Sequence, residues 1–375
     1  MTILHKLRAR GHWESHAALI EFQGGGDGTR AAVDAIVVPT ARPARYLGPV
    51  ADLARSVGCL LVVLCSARAT GQVIAGLVTS RPGLRAAVVD LPPGYAHPLL
   101  DFETSKHPQA GLAKHVDLST KRNVGLLLAR LLGWEQVLFV DDDIRGLDAG
   151  MLARASSLLG RYRAVGFRVG EYPDNSVVCH AHRLGGGDQE TFVGGNALLV
   201  DTAHAHSFFP AVYSEDWLFL YDHVRSRAVV VAGTTTQLEY DPFASPLRAT
   251  SEEFGDMVAE TLFWLLHREI DVRTSDPSLW RKGLARRSAF VEDVIGRLLA
   301  MPSGSRKTER ALGAMKAARA RLDEILPEDC QSFVDAWRAD LANWSDRLLG
   351  LPSFASERRA LDYLDLPIVS LEVIR

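Results

Sequence analysis

Cysteine is scarce: Cys59, Cys65, Cys179 and Cys330 are the whole supply in 375 residues, and no two stand at CxxC spacing. That excludes a disulfide framework and a thiolate zinc cluster, and it fits reduced structural thiols in a cytoplasmic protein. Long apolar runs are lacking as well. Nothing approaches the roughly 20 residues of a membrane span, and Met1 to Lys6 lacks the apolar core of a signal peptide. There is no excess of positive charge either; the formal net charge is -3, which offers no basic field for a nucleic acid. A phosphate-cradling glycine loop is also missing, because the glycine-rich run from Gln23 to Thr29 leads into another strand rather than a helix. It reads as a flexible connection or hairpin turn. What is present, 47% hydrophobic and 23% charged residues, describes a globular chain with ample core, long enough for one large domain or two.

From residue 33 strand and helix signals alternate. Ala35 to Thr40, Cys59 to Cys65 and Ala86 to Asp90 are short apolar runs that read as buried strands, with a helix over Ala44 to Val57 between the first two. Ser119 to Leu132 reads as a helix with Ser119 as its cap. Alternation of this kind implies an α/β fold with a mostly parallel sheet covered by helices. Further strands are expected at Ala164 to Val169, Ser176 to Cys179 and Thr191 to Val200, and helices at Ser214 to His223 and Glu252 to His267. Apolar positions three and four apart over 287–300, 307–325 and 329–349 make the last hundred residues a helical appendage. The expected division is an N-terminal extension over 1–32, an α/β domain over 33–270 and a helical region over 271–375. No internal repeat is visible.

The sharpest chemical signal is the run Val137-Leu138-Phe139-Val140 closing on Asp141, Asp142 and Asp143. A strand buried on both faces delivers these acids to the edge of a sheet, where open α/β sheets bind their ligands. Adjacent carboxylates repel, and a divalent cation, a cationic partner or hydration must compensate. On extended backbone Asp141 and Asp143 point to one side, and Asp142 faces away.

Three further features join it in order: Val38-Pro39-Thr40 closing the first strand, Gly194-Gly195-Asn196 before a later strand, and Ser214-Glu215-Asp216-Trp217 opening a helix. Together they resemble the GT-A fold glycosyltransferases, in particular the family-2-like group, over roughly residues 33 to 270. That family has a Rossmann-like sheet flanked by helices and moves sugars from nucleotide-diphosphate donors, so the resemblance implies a glycosyltransferase, with hexosyl transfer the expected activity. The resemblance implies a Mg²⁺ or Mn²⁺ cofactor with Asp143 as direct ligand and Asp141 on the ribose or the cation; Asp142 lies alongside. It implies nucleotide contacts from Pro39, Thr40 and Arg42 and from Arg122 and Asn123, which follow Lys121 near a helix start. Two cations there oppose the helix dipole, and a bound anion would relieve this; a helix beginning earlier would leave them on the surface. Gly194 and Gly195 would let the backbone approach the sugar or acceptor, with Asn196 on sugar hydroxyls.

Glu215 and Asp216 can be read without chemistry, as acids in a first helical turn capped by Ser214. The resemblance adds that the Asp of this pair is the general base in inverting members and that its counterpart binds donor or acceptor in retaining ones. Trp217 would be a sugar-ring wall or a core residue. His223 and His267 are candidates for a third metal ligand. His180 with His182, and His204 with His206, are candidates for a zinc pair on a strand face. The main competing classes are a catalytically silent nucleotide- or carbohydrate-binding module and a sugar-phosphate nucleotidyltransferase. The latter would carry glycines just after the first strand, where this chain has Pro39 to Pro43. The acceptor is unnamed by the sequence; the absence of a membrane span favours a soluble small molecule, and the C-terminal helices are a candidate homodimer surface.

Overall fold

The structure, a computed structural model, describes residues 16–23, 32–110, 117–170, 176–188, 193–204, 206–302 and 304–372. The glycines of the run before Thr29 lie outside them. In chain order the elements are β1 (Glu21–Phe22), β2 (Ala35–Thr40), α1 (Gly48–Val57), β3 (Leu60–Cys65), α2 (Gly71–Thr79), β4 (Arg85–Asp90), α3 (Glu103–Lys106), α4 (Asp117–Leu132) and β5 (Gln136–Val140). They continue with β6 (Ile144–Arg145), α5 (Ala149–Leu158), β7 (Ala164–Val169), α6 (Val177–Leu184), β8 (Ala197–Asp201), α7 (Glu215–Arg225), β9 (Val229–Gln237) and α8 (Pro246–His267). The chain closes with α9 (Pro277–Leu299), α10 (Arg306–Glu324), α11 (Pro327–Leu349), α12 (Glu357–Tyr363) and β10 (Ile368–Glu372).

The strands form one sheet in the order β1-β9-β7-β8-β5-β2-β3-β4-β10, with β6 paired on β9. The sheet is mixed. Strands β2, β3, β4 and β5 run parallel, but β8 runs against both β5 and β7, and β6 and β10 are antiparallel to their partners. Both ends of the chain add edge strands: β1 pairs with β9 and β10 with β4.

The continuous apolar runs are explained by burial on both faces. Ala35, Val37, Leu60, Val62, Val137 and Phe139 point to one side; Ile36, Val38, Leu61, Val63, Leu138 and Val140 point to the other. The second side is covered by α1, α2 and α5 through Val50, Ile74 and Leu152. The first is covered by α4 and α7, and on it stand the long C-terminal helices, whose Trp280, Phe290, Trp337 and Trp344 belong to the same apolar core as the strands. Among the described residues no helix is long and apolar enough to cross a membrane.

Three local expectations are corrected. Ser176 to Cys179 starts a helix, not a strand: the Ser176 hydroxyl accepts the Cys179 N–H, and Glu252 accepts the Val177 N–H at 2.8 Å. The strand expected from Thr191 begins at Ala197, after a turn over Gly195 and Asn196. Helix α4 begins by Asp117, so Ser119 lies inside it, and its hydroxyl donates to the Pro210 carbonyl at 2.8 Å instead of capping.

Candidate active site

The carboxyl ends of β2, β3, β5 and β9 and the start of β8 meet at one edge of the sheet. There the Asp141 N–H still bonds the Asn196 carbonyl at 2.9 Å, but the Ile144 N–H turns back to the Asp141 carbonyl at 3.1 Å. The acids therefore sit on a turn rather than on extended backbone. This corrects the expected orientation. Asp142 and Asp143 converge on the Arg42 guanidinium, with Asp143 at 2.8 Å, while Asp141 turns to Arg122 at 3.0 Å. Asp142 also accepts the Thr40 hydroxyl at 2.5 Å, and Asp143 accepts the Gln237 amide at 3.3 Å.

Helix α4 supplies the cations beneath this edge. Lys121 is buried, although the helix begins earlier, by Asp117. Its ammonium donates to the Thr40 carbonyl at 2.9 Å, the Ser66 hydroxyl at 2.6 Å and Asp117 at 2.9 Å. Arg122 is buried between Asp141 and Glu215, with its guanidinium over the Phe209 ring. The Asn123 side chain is buried and bound to backbone: its amide donates to the Phe209 carbonyl and its oxygen accepts the Phe209 N–H, both at 2.8 Å. Pro39 is buried within β2, beyond the β5 ladder that ends at Val37, so its missing N–H costs no pairing there.

The glycine pair permits a close approach. A Cβ on Gly195 would stand 2.7 Å from Arg122 Nη1, and one on Gly194 would stand 2.9 Å from Asp216 Oδ2. With no side chain in the way, the Gly195 N–H donates to Asp216 at 2.6 Å, and the other Asp216 oxygen accepts the Trp217 N–H at 2.9 Å. Glu215 is buried against Arg122, whereas Asp216 is half-buried. The four acid–arginine pairs and the two glycines thus bring residues 40–42, 122, 141–143, 194–196 and 215–216 into one constellation.

Burial dominates its electrostatics. It pushes the Glu215 carboxyl up to about 8 against the pull of Arg122, with Asp216 and Asp141 adding to the rise. Burial likewise raises Asp141 to about 6 despite Arg122, and it raises Asp143 despite Arg42. For Arg122 burial works against the charge, but Asp141, Glu215 and Asp216 together hold the guanidinium firmly protonated.

The histidines stand elsewhere. His223 lies among Asp222, His206, Arg163 and Asp201, and Asp201 pairs with Gln136 at the opposite end of β5 from the acids. His267 faces His16, beside β1, which pairs with the first residues of β9. Neither reaches Asp143. His180 and His182 are on α6, where neighbours two apart do not share a face, and His204 is in a single helical turn; the zinc-pair expectation fails with the strand. Among the described residues no three His, Cys, Asp and Glu side chains are arranged to hold a metal ion. Ser214 does not cap α7, and Trp217 packs on His16 and Phe263.

Gln237 opens a loop running to Phe243, downstream of the Glu215–Asp216 pair, that matches no recognisable motif in the sequence. It closes β9, the Leu238 N–H bonds the Asp143 carbonyl at 3.0 Å, and the β6–β9 pairing aligns Ile144 with Gln237. Asp143 Oδ1 and Gln237 Oε1 are buried acceptors with no donor, as is Asn196 Oδ1.

No family model and no curated protein matches the chain. Among solved structures it is similar to the Mn/GDP form of core-mannan synthase A from Aspergillus fumigatus, at 9% identity and a TM-score of 0.26, covering 58% of this chain and 70% of that one. A likeness so slight carries no argument about this protein.

Proposed function

We propose that the protein is a divalent-metal-dependent glycosyltransferase of the GT-A kind, moving a sugar, a hexose in the simplest case, from a nucleotide-diphosphate donor to an acceptor hydroxyl. The observation that carries this reading is the meeting of five separate chain segments at the carboxyl edge of the sheet, with the Asp141–Asp143 turn beside Arg42 and the Glu215–Asp216 pair beside Gly195. Domain limits of 33–270 for the transferase part, a soluble acceptor and a dimer through the C-terminal helices belong to the same proposal.

The residues present fit a hard cation. Buried oxygens without donors, Asp143 Oδ1 and Gln237 Oε1, stand on two side chains already in contact, and such oxygens suit Mg²⁺ or Mn²⁺. Asp143, Gln237 and Asp141 would hold the ion; Mg²⁺ sites commonly take only one or two carboxylates and leave the rest to substrate phosphates. Bound there, it supplies positive charge against the diphosphate.

The chain's own groups supply the rest. Arg42 is half-buried on the loop after β2 and offers a planar donor fork to phosphate. Thr40 and Lys121 fix that loop from below. Asp216 is the half-buried member of the acid pair and is oriented by two backbone amides, which suits a base for the acceptor hydroxyl. Glu215 holds Arg122 in place.

Thermal shifts with UDP, GDP, CDP, ADP and dTDP, each with and without Mn²⁺, test the reading, because a ligand that binds only the folded state raises its stability. One nucleotide is expected to raise the midpoint only when metal is present, and Asp143→Ala is expected to lose that shift while unfolding as cooperatively as the wild type. No shift with any nucleotide, or a shift that survives Asp143→Ala, would refute it.

A further inference from the structure

Ser214 precedes α7 with φ at +59°, the left-handed region, which is costly for any residue with a Cβ. A capping serine is expected in extended geometry with its hydroxyl on an amide of the first turn. This one makes no such bond. Its hydroxyl donates instead to Asp256 Oδ1 on α8 at 2.9 Å. The preceding residue is held too: a Cβ on Gly255 would stand 2.1 Å from the Tyr213 carbonyl oxygen, so the loop backbone rests directly on the helix where only glycine leaves room.

Asp256 is itself fixed from behind. Its other oxygen accepts a hydrogen bond from Arg287 of α9 at 3.0 Å, and Arg287, wholly buried, also binds Glu253 and Glu260 at 2.6 Å each. The C-terminal helices are therefore tied through Arg287, Asp256 and Ser214 to the residue from which Glu215 and Asp216 project. Two residues on, the constraint reaches the Gly195 N–H that Asp216 accepts.

We propose that Asp256 is a positioning residue: by holding Ser214 in its left-handed conformation it sets where the Glu215 and Asp216 carboxylates stand at the reaction centre. The inference rests on the transferase reading for what those carboxylates do, and on the hydrogen bonds above for how they are held. Removing Asp256 leaves Arg287 paired with Glu253 and Glu260, so the fold survives the test.

Full-length wild type, Ser214→Ala, Asp256→Ala and the double variant are compared in three measurements: hydrogen exchange of the peptide spanning residues 213–220, affinity for the nucleoside diphosphate that shifts the wild type in the Mn²⁺ panel, and release of that diphosphate from its sugar conjugate. Both single variants are expected to exchange faster in that peptide and to slow release by about tenfold, with affinity kept within about twofold. Because both act through one hydrogen bond, the double variant is expected to lose no more than either single one. Losses that multiply in the double variant, release that stays at the wild-type rate, or affinity that falls in step with release would overturn the positioning role alone. A wild type that binds no nucleoside diphosphate overturns the transferase reading and this role with it.

Discussion

Arg122 is the residue on which the candidate site turns. It separates Asp141 from Glu215, and it draws both carboxyls down against the burial that raises them. The consequence can be measured at Glu215. Its carboxyl ordinarily loses its proton near 4.5, and burial moves that to about 8 in the folded protein. Below 4.5 both states are protonated, and above 8 both are ionised. Between these limits the native state holds a proton that the unfolded chain has released, so raising the pH favours unfolding. Relative to Glu215→Gln, which keeps the shape and an acceptor for Arg122, the wild type is expected to lose up to about 1 kcal/mol per pH unit across that window and none above it. Urea unfolding of both proteins at pH 5, 6.5, 8 and 9 checks this; a constant difference between them would show that Glu215 does not titrate there.

At the scale of elements, α4 shows how closely helix and sheet must fit for the site to form. A Cβ on Gly125 would come 2.8 Å from Phe139 Cε1 and 3.0 Å from Val37 Cγ1, so the helix lies on β2 and β5 at a distance that only glycine allows. One turn earlier the same helix carries Lys121 and Arg122. Gly125→Ala is expected to destabilise by about 1–3 kcal/mol through overpacking and to weaken nucleotide binding by displacing Arg122. Gly313→Ala on α10, where a Cβ meets nothing within 4 Å, is expected to stabilise by about 0.5–1 kcal/mol. Chemical denaturation of the pair distinguishes packing from propensity. Much of this layer was legible in the sequence, because strands buried on both faces are continuous apolar runs and the three acids mark the end of one. Helix α6 was not, since Val177, Val178 and Cys179 favour a strand locally and become helical under a serine cap and a contact from Glu252 on α8. The partners of the acids were hidden for a related reason: Arg42 and Gln237 reach them only through the adjacency of β2, β5, β6 and β9, which no local pattern encodes. The partner of Asn123 was hidden in the same way, since the Phe209 backbone that its amide bonds lies 86 residues along the chain.

For the whole molecule the question is whether the sheet and the C-terminal helices are separable. Helix α8 presents Glu253, Asp256 and Glu260 from one buried stripe, and the cation that meets all three is Arg287 of α9. Carboxylates buried without their cation are strongly destabilising, whereas the same groups cost little once paired and hydrogen-bonded. A chain ending at residue 270 would retain the acids and lose the arginine. It would also uncover the core that Trp280, Phe290, Trp337 and Trp344 share with the strands, and lose β10 from the edge of β4. We therefore expect residues 33–270, although they contain every residue of the candidate site, to populate no cooperatively folded state when expressed alone. In the full chain Arg287→Ala is expected to cost about 3–5 kcal/mol. Replacing Glu253 and Glu260 by Gln in that background is expected to recover part of the loss, because it removes two of the stranded charges. Calorimetry of the fragment and urea unfolding of the two variants provide the check. A sharp unfolding transition in the fragment would mean that the α/β part folds independently and that the C-terminal helices dock on a domain already formed.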